Sequence, residues 1–124
     1  MSMSTIEGEF KNMKSKISTD ELFSKAAVGL GATKHCGSDS YGYYISFIDP
    51  ARKTIGLYQP KHWFANSWTE GSMKHEDYKP DTPPTMYLQA WRGSWYLLDN
   101  ATGARRDRYP ICIGHCSFYQ DPSF

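Results

Sequence analysis

Cysteine and histidine side chains that could bind a metal lie in two short segments of the chain. One segment is His35 with Cys36, and the other runs from Cys112 to Cys116. Thiolate and imidazole groups are the ligands that zinc prefers, but a standard zinc knuckle pairs its ligands at a regular short spacing and repeats the pair, which these segments do not do. The spacing therefore predicts no metal and no other cofactor. The candidate ligands of a metal site would be Cys36, Cys112, His115 and Cys116.

Cys36 is also the best candidate for a catalytic nucleophile. A reactive thiolate needs an imidazole beside it, and the candidate partners are the adjacent His35 and, from elsewhere in the chain, His62, His75 and His115. Catalytic cysteines commonly begin a helix, whose dipole favours the thiolate, whereas turn residues and then a strand pattern follow Cys36. The sequence favours a protein that is not an enzyme, with a Cys/His-dependent hydrolase or transferase as the alternative.

Aromatic and arginine side chains gather around Arg92 and Gly93. Trp91 precedes this pair, tyrosines stand at 87 and 96, and arginines follow at 105, 106 and 108. Flat rings beside guanidinium groups suit an acidic loop of a partner protein, a stacked base or a sugar. We therefore expect a binding surface here. Its candidate residues are Tyr87, Trp91, Arg92, Tyr96, Arg105, Arg106 and, from a Trp-rich loop, Trp63 and Trp68.

A β-hairpin over residues 85–98 is the element that would position these rings. Glycine at position 93 permits the positive φ of a tight turn, and a two-residue loop of Arg92 and Gly93 would pair Ala90 with Trp95. Side chains alternate along a strand, so Ala90 and Trp95 are expected in the core. The opposite face would carry Tyr87, Gln89, Trp91, Ser94, Tyr96 and Leu98. The alternative is that helices cover this opposite face.

Two helices are predicted ahead of the strands. Apolar residues recur at helical spacing from Ile6 to Ile17 and predict the first helix. Ser18 and Glu21 form a capping box, which predicts a second helix over about residues 19–28. Both helices would pack an apolar stripe against the sheet.

Alternating side chains then predict antiparallel strands. Residues 43–48 and 54–58 are predicted to form a hairpin, with Tyr43, Ile45 and Phe47 sharing one face. Residues 105–113 form a further predicted strand, which proline at 110 places at the edge of the sheet.

The predicted fold class is α+β: two N-terminal helices packed on an antiparallel sheet of about five strands joined by hairpins. The alternative is a partly closed β-barrel with helices. Residues 59–85 would form a long Pro- and Trp-rich loop within a single domain that spans residues 1–124.

Composition excludes several classes of function. The net charge of +1 argues against a polybasic nucleic-acid binder and against an acidic DNA mimic. No apolar run approaches about 18 residues, which predicts no membrane association. An odd number of cysteines and a polar start without signal-peptide character predict a cytoplasmic location.

Taken together, these patterns predict a non-catalytic, small soluble recognition domain. The expected partner is another protein, in an inhibitor, immunity or adaptor role. Binding of RNA or carbohydrate on the aromatic and arginine face is a further alternative.

Overall fold

The hairpin around Gly93 forms as the sequence predicts, within a mostly β structure. A computed structural model describes residues 17–65 and 73–120 of the chain. Within these ranges the chain forms one short helix, a seven-stranded antiparallel sheet and a separate two-stranded sheet. The elements are α1 (Thr19–Ser24), β1 (Gly31–Cys36), β2 (Asp39–Asp49), β3 (Thr54–Tyr58), β4 (His62–Phe64), β5 (Met73–His75), β6 (Met86–Trp91), β7 (Ser94–Leu98), β8 (Arg105–Arg108) and β9 (Ile111–Gly114). The part of the chain described contains no helix that is long and apolar enough to cross a bilayer.

The large sheet has the strand order β8-β7-β6-β3-β2-β1-β9. Its first and last strands are consecutive in the chain, because only Tyr109 and Pro110 separate β8 from β9. The Tyr109 N–H donates to the Trp95 carbonyl at 2.9 Å, and the His35 N–H donates to the Pro110 carbonyl at 3.4 Å. Two adjacent residues thus bond to β7 and to β1, near opposite ends of the sheet. The sheet must curl until its two outer strands approach each other.

The inner face of this curled sheet carries the core. Its most buried side chains are 0 to 3% exposed and come from β1, β2, β3, β6 and β7. They are Ala32, Ile45, Ile55, Leu57, Leu88, Ala90 and Trp95. Leu22 and Phe23 of α1 pack against them. Each Å² of apolar surface removed from water contributes about 25 cal/mol to stability. Burial of this core is therefore the main source of the stability of the fold.

Helix α1 is fixed to the tips of two hairpins. The Gly93 N–H, at the turn between β6 and β7, donates to Thr19 Oγ1 at 2.9 Å. Lys53, at the turn between β2 and β3, pairs with the Asp20 carboxylate at 2.6 Å. These contacts place the helix at one end of the sheet.

The predicted α+β class is wrong, because the described chain contains a single six-residue helix. The barrel alternative also included helices, whereas the described residues contain only α1. The first predicted helix, from Ile6 to Ile17, lies outside the described residues apart from Ile17 itself.

Helix α1 begins where the sequence predicts and ends early. Ser18 Oγ accepts a hydrogen bond from the Glu21 N–H at 3.1 Å, as expected of the cap. The predicted continuation to residue 28 fails because Gly29 and Leu30 bond to the Ile45 backbone of β2, at 2.8 and 2.9 Å. Pairing with the sheet overrides the helix propensity of the alanines that precede it.

Residues 105–113, predicted as one strand, form β8 and β9 at opposite ends of the sheet. Proline at 110 has no N–H to continue a ladder, so the chain changes neighbours there. The sequence also failed to predict β1, since residues 31–36 have no clear alternation. That strand is held by non-local pairing with β2 on one side and β9 on the other.

A β-bulge in β2 reverses which side chains face outward. Ile45 pairs with Leu57, but the next paired residues are Phe47 and Gly56, so Ser46 is the extra residue. Ile45 is therefore completely buried while Phe47 is 42% exposed. The prediction that these two residues share a face is wrong for this reason.

Residues 59–85 contain the two short strands β4 and β5. Trp63 pairs with Lys74 across this small sheet, so part of the predicted loop is a strand. Trp68 lies outside the described residues.

Candidate binding face

The β6–β7 hairpin separates its side chains onto two faces. Ala90 pairs with Trp95, and Trp91 pairs with Ser94, in the register that the sequence predicts. Arg92 and Gly93 form the turn with φ of 50° and 75°. Trp95 is 3% exposed, whereas Trp91 is only partly buried. We call the partly exposed side the outer face; it comprises Phe47, Arg52, Tyr87, Gln89, Trp91, Arg92, Tyr96, Leu98, Arg105 and Arg108.

Trp91 is held by three neighbours on the outer face. The guanidinium carbon of Arg92 lies 4.3 Å from the centre of the indole ring, and that of Arg105 lies 4.0 Å from it. Tyr96 meets the same ring edge-on, with ring centroids 5.5 Å apart and planes at 77°. Each exposed cation–π contact contributes about 0.5–1 kcal/mol. Together these contacts order the cluster before any ligand binds.

Gln89 fixes the position of Arg105. Its side-chain oxygen accepts a hydrogen bond from Arg105 Nη1 at 2.8 Å. Its side-chain nitrogen donates to the Arg52 carbonyl at 3.0 Å. The amide therefore links the turn after β2 to the guanidinium on Trp91.

An irregularity in the β7–β8 pairing places two arginines on the outer face. Leu98 pairs with Arg105, and Tyr96 pairs with Arg108. Arg105 and Arg108 are three residues apart, so on a regular strand their side chains would point to opposite faces. The shift in register between Tyr96 and Leu98 places both arginines on the outer face. Arg106 is exposed but lies between these paired positions.

A groove of about 310 Å³ adjoins the cluster. Phe47 and Tyr87 form one wall, with their rings edge-to-face and their centroids 5.9 Å apart. The lining residues are Phe47, Asp49, Arg52, Thr54, Tyr87, Gln89, Leu98, Asp99, Asn100 and Gly103. Sequence reasoning missed Phe47 because the bulge moves it outward. The only sequence signal was the adjacent apolar pair Phe47-Ile48, which strict alternation cannot place on one face.

Positive charge is concentrated on this side of the molecule. Four of the chain's five arginines belong to the outer face, at 52, 92, 105 and 108, against the groove-lining aspartates at 49 and 99. The Asp99 carboxylate accepts hydrogen bonds from the Thr102 and Ala101 N–H groups, at 3.0 and 2.8 Å, and these bonds hold its pKa below the ordinary value. Among the described residues the ion pairs use Lys53 and Lys79 rather than any arginine.

No protein-family model, curated protein or solved structure matches this chain. Its function is therefore argued from the geometry of the residues themselves.

The structure does not bring the candidate catalytic residues together. Cys36 is exposed at the end of β1 and pairs with Asp39 in the β1–β2 ladder, whereas His35 pairs with Ser40, whose hydroxyl lies 3.3 Å from the His35 ring. His115 lies in the C-terminal segment, where its carbonyl accepts a hydrogen bond from Thr33 Oγ1 at 2.7 Å. Within residues 17–65 and 73–120, no histidine ring is hydrogen-bonded to the Cys36 thiol.

Cys116 and His75 form the one close thiol–imidazole contact in the described ranges, with Sγ and Nδ1 3.9 Å apart. Burial raises the pKa of Cys116 to about 12, so the thiol stays protonated at neutral pH. The His75 ring nitrogens lie 2.8 Å from the Glu76 carbonyl and 3.1 Å from the Cys116 carbonyl. This is the geometry of a packed thiol and not of an activated nucleophile.

The metal candidates are also dispersed. Cys112 is exposed on β9 opposite Thr33, Cys36 lies at the far end of β1, and Cys116 packs near β5. Among the described residues, no group of three or more His, Cys, Asp or Glu side chains could hold a metal ion. Trp63, a binding candidate, is 48% exposed and lies on the separate β4–β5 sheet.

Proposed function

We propose that this protein is a non-catalytic recognition domain that binds another protein through the outer face. The observation that carries the proposal is Trp91, which lies outside the core with two guanidinium groups against its ring. Tryptophan, tyrosine and arginine are the residue types that most often dominate the energy of protein interfaces. An inhibitor, immunity or adaptor role is consistent with such a surface.

Pre-ordering of the outer face supports this proposal. Arg105 is fixed by Gln89 and by Trp91, and the hairpin below them is anchored in the core through Trp95. A surface that is ordered in advance loses less side-chain entropy on binding, at roughly 0.5–1.5 kcal/mol per side chain. The same residues contain no paired nucleophile and base, so binding is favoured over catalysis on this face.

We infer a reducing compartment, such as the cytoplasm, for this activity. All three cysteines of the chain are free thiols, and two of them are exposed. Exposed free thiols are typical of proteins that stay in a reducing environment.

The test is quantitative affinity capture from an extract of the cells that make the protein. Tagged wild-type chain and the variants Trp91→Ala and Arg105→Ala are compared by mass spectrometry. The expected result is at least one protein that the wild type enriches and that both variants lose, while circular dichroism shows both variants still folded at the temperature of the assay.

The matched control is Trp63→Ala, which removes an exposed tryptophan from the separate β4–β5 sheet. It should retain the captured protein. Equal loss with Trp63→Ala, or enrichment that none of the variants alters, would contradict recognition through the outer face.

A further inference from the structure

We propose that the ligand of the outer face is an extended acidic segment of a partner protein. Two carboxylates of the segment bind Arg92 and Arg105, and an apolar side chain enters the groove beside Phe47 and Tyr87. This inference rests on the proposed function, since it specifies the chemistry of the partner that the same face would bind.

Charge and spare donors favour an anionic ligand. The four outer-face arginines exceed the two groove-lining aspartates, although the whole chain carries only +1. The Asp99 carboxylate already accepts hydrogen bonds from two N–H groups of its own turn. A guanidinium has five N–H donors, and Arg105 uses its Nη1 on Gln89. The remaining donors of Arg105 can form a two-bond contact with a carboxylate.

Occupation of the Trp91 ring favours a carboxylate over a stacked base or sugar. Two guanidinium groups already lie within 4.3 Å of the ring centre. A base or sugar could stack there only by displacing one of them. A carboxylate needs no such displacement, because it binds the N–H edge of a guanidinium whose flat face rests on the indole.

The spacing along β6 indicates the pattern of the ligand. Tyr87, Gln89 and Trp91 are alternate residues of one strand, so successive positions are about 7 Å apart. The groove lies beside Tyr87, the Arg105 guanidinium lies between Gln89 and Trp91, and the Arg92 guanidinium lies beside Trp91. Both guanidinium carbons lie within 4.3 Å of one ring centre, so they are no more than about 8 Å apart, a distance that carboxylates two positions apart on an extended segment can span. An extended peptide has the same repeat. An apolar residue followed by carboxylates two and four positions later therefore matches the face.

The experiment measures binding of a fluorescent peptide that contains Leu-Ser-Glu-Ser-Glu to the full chain by anisotropy. A second peptide with the reverse order covers the opposite chain direction, and a third has glutamine for both glutamates. We expect one acidic peptide to bind at least roughly tenfold more tightly than the glutamine peptide, because the loss of charge-assisted hydrogen bonds weakens binding by about that factor or more.

Arg105→Gln and Arg106→Gln form the matched pair of variants. Both remove one positive charge from adjacent residues, but only Arg105 contacts Trp91 and Gln89. Arg105→Gln should weaken the acidic peptide roughly tenfold, and Arg106→Gln less than about twofold. Arg92→Gln, which leaves the contacts of Gln89 intact, should weaken it as Arg105→Gln does. Equal effects of the 105 and 106 variants would overturn the proposal, since they would indicate attraction to net charge alone.

A single-stranded RNA of similar length is the competing probe. If the RNA binds more tightly than the acidic peptides, with an affinity that falls steeply with salt and depends on Arg105, both the acidic segment and the proposed function are overturned. If neither acidic peptide binds better than the glutamine peptide while capture from extract still depends on Trp91, the acidic segment is overturned and the proposed function stands.

Discussion

Trp91 and Trp95 lie on opposite faces of one hairpin, although only three residues separate them. Trp95 pairs with Ala90 and is 3% exposed, whereas Trp91 pairs with Ser94 and contacts Arg92 and Arg105. The same residue type therefore has two different physical roles. The side-chain alternation of β6 and β7, with a two-residue turn between them, is sufficient to separate those roles.

Alanine substitution of the two tryptophans should lower the free energy of unfolding by different amounts, because only Trp95 lies in the core. Trp95→Ala leaves a cavity in the core and should lower the free energy of unfolding by about 3–5 kcal/mol. Trp91→Ala removes two exposed cation–π contacts and should cost about 1–2 kcal/mol at most. Urea unfolding followed by far-UV circular dichroism measures both values. Similar losses for the two variants would show that the faces are wrongly assigned.

Gly93 is expected to be far more sensitive to substitution than Gly103. Both have nearly the same positive φ, 75° and 73°, so alanine costs about 1–2 kcal/mol of backbone strain at either position. A methyl group at 93 would also meet the Ile17 carbonyl oxygen, whereas one at 103 meets open space. Gly93→Ala should therefore destabilise the fold by about 1–3 kcal/mol more than Gly103→Ala. Equal free energies of unfolding for the two variants would contradict the close approach of residue 17 to this turn.

Local patterns predicted the hairpin that carries Trp91, because turn chemistry and alternation are both encoded within about 14 residues. The inward and outward assignment of Leu88, Ala90 and Tyr96 needs nothing beyond this pattern. Of the predicted binding residues, Trp91, Tyr96, Arg92 and Arg105 contact one another, whereas the ring of Tyr87 meets that of Phe47.

Non-local pairing explains what the sequence could not predict. Strand β1 owes its existence to neighbours on both sides, and the break at Pro110 sends β8 and β9 to opposite ends of the sheet. The bulge at Ser46 is one extra residue, and it alone decides that Phe47 lines the groove. Irregularities of this kind leave no periodic signal in a single sequence.

Thr19 should couple the helix to the hairpin turn. Its Oγ1 accepts the hydrogen bond of the Gly93 N–H at 2.9 Å. Thr19→Val keeps the shape of the side chain but removes the acceptor, which should cost about 1 kcal/mol or more because the amide loses its partner. Thr19→Ser keeps the hydroxyl and is the matched control. Amide hydrogen exchange at residue 93 should accelerate in the valine variant only. Unchanged exchange in that variant would show that the hydrogen bond from Gly93 to Thr19 does not protect this amide.

Cys116 should make the protein sensitive to alkaline pH. Burial raises its pKa from 9.0 to about 12. Between these values the unfolded chain loses the thiol proton while the folded chain retains it, so stability falls as pH rises above about 9. Burial also raises the pKa of Tyr44. The pKa of Tyr109 is raised mainly by burial and, to a smaller extent, by its hydrogen bond with Tyr43. These tyrosines extend the loss of stability above pH 10.

The measurement is the free energy of unfolding in urea at pH 7.5 and pH 10.5, an interval that spans the ordinary thiol pKa of 9.0. Cys116→Ala should lose less stability across that interval than the wild type. Without the thiol, the unfolded chain no longer loses a proton that the folded chain would retain. Cys112→Ala is the matched control, since that thiol is exposed, and it should lose as much as the wild type. If all three proteins lose the same amount, the Cys116 thiol is not shielded from water in the way that its positions beside His75 and Gly42 imply.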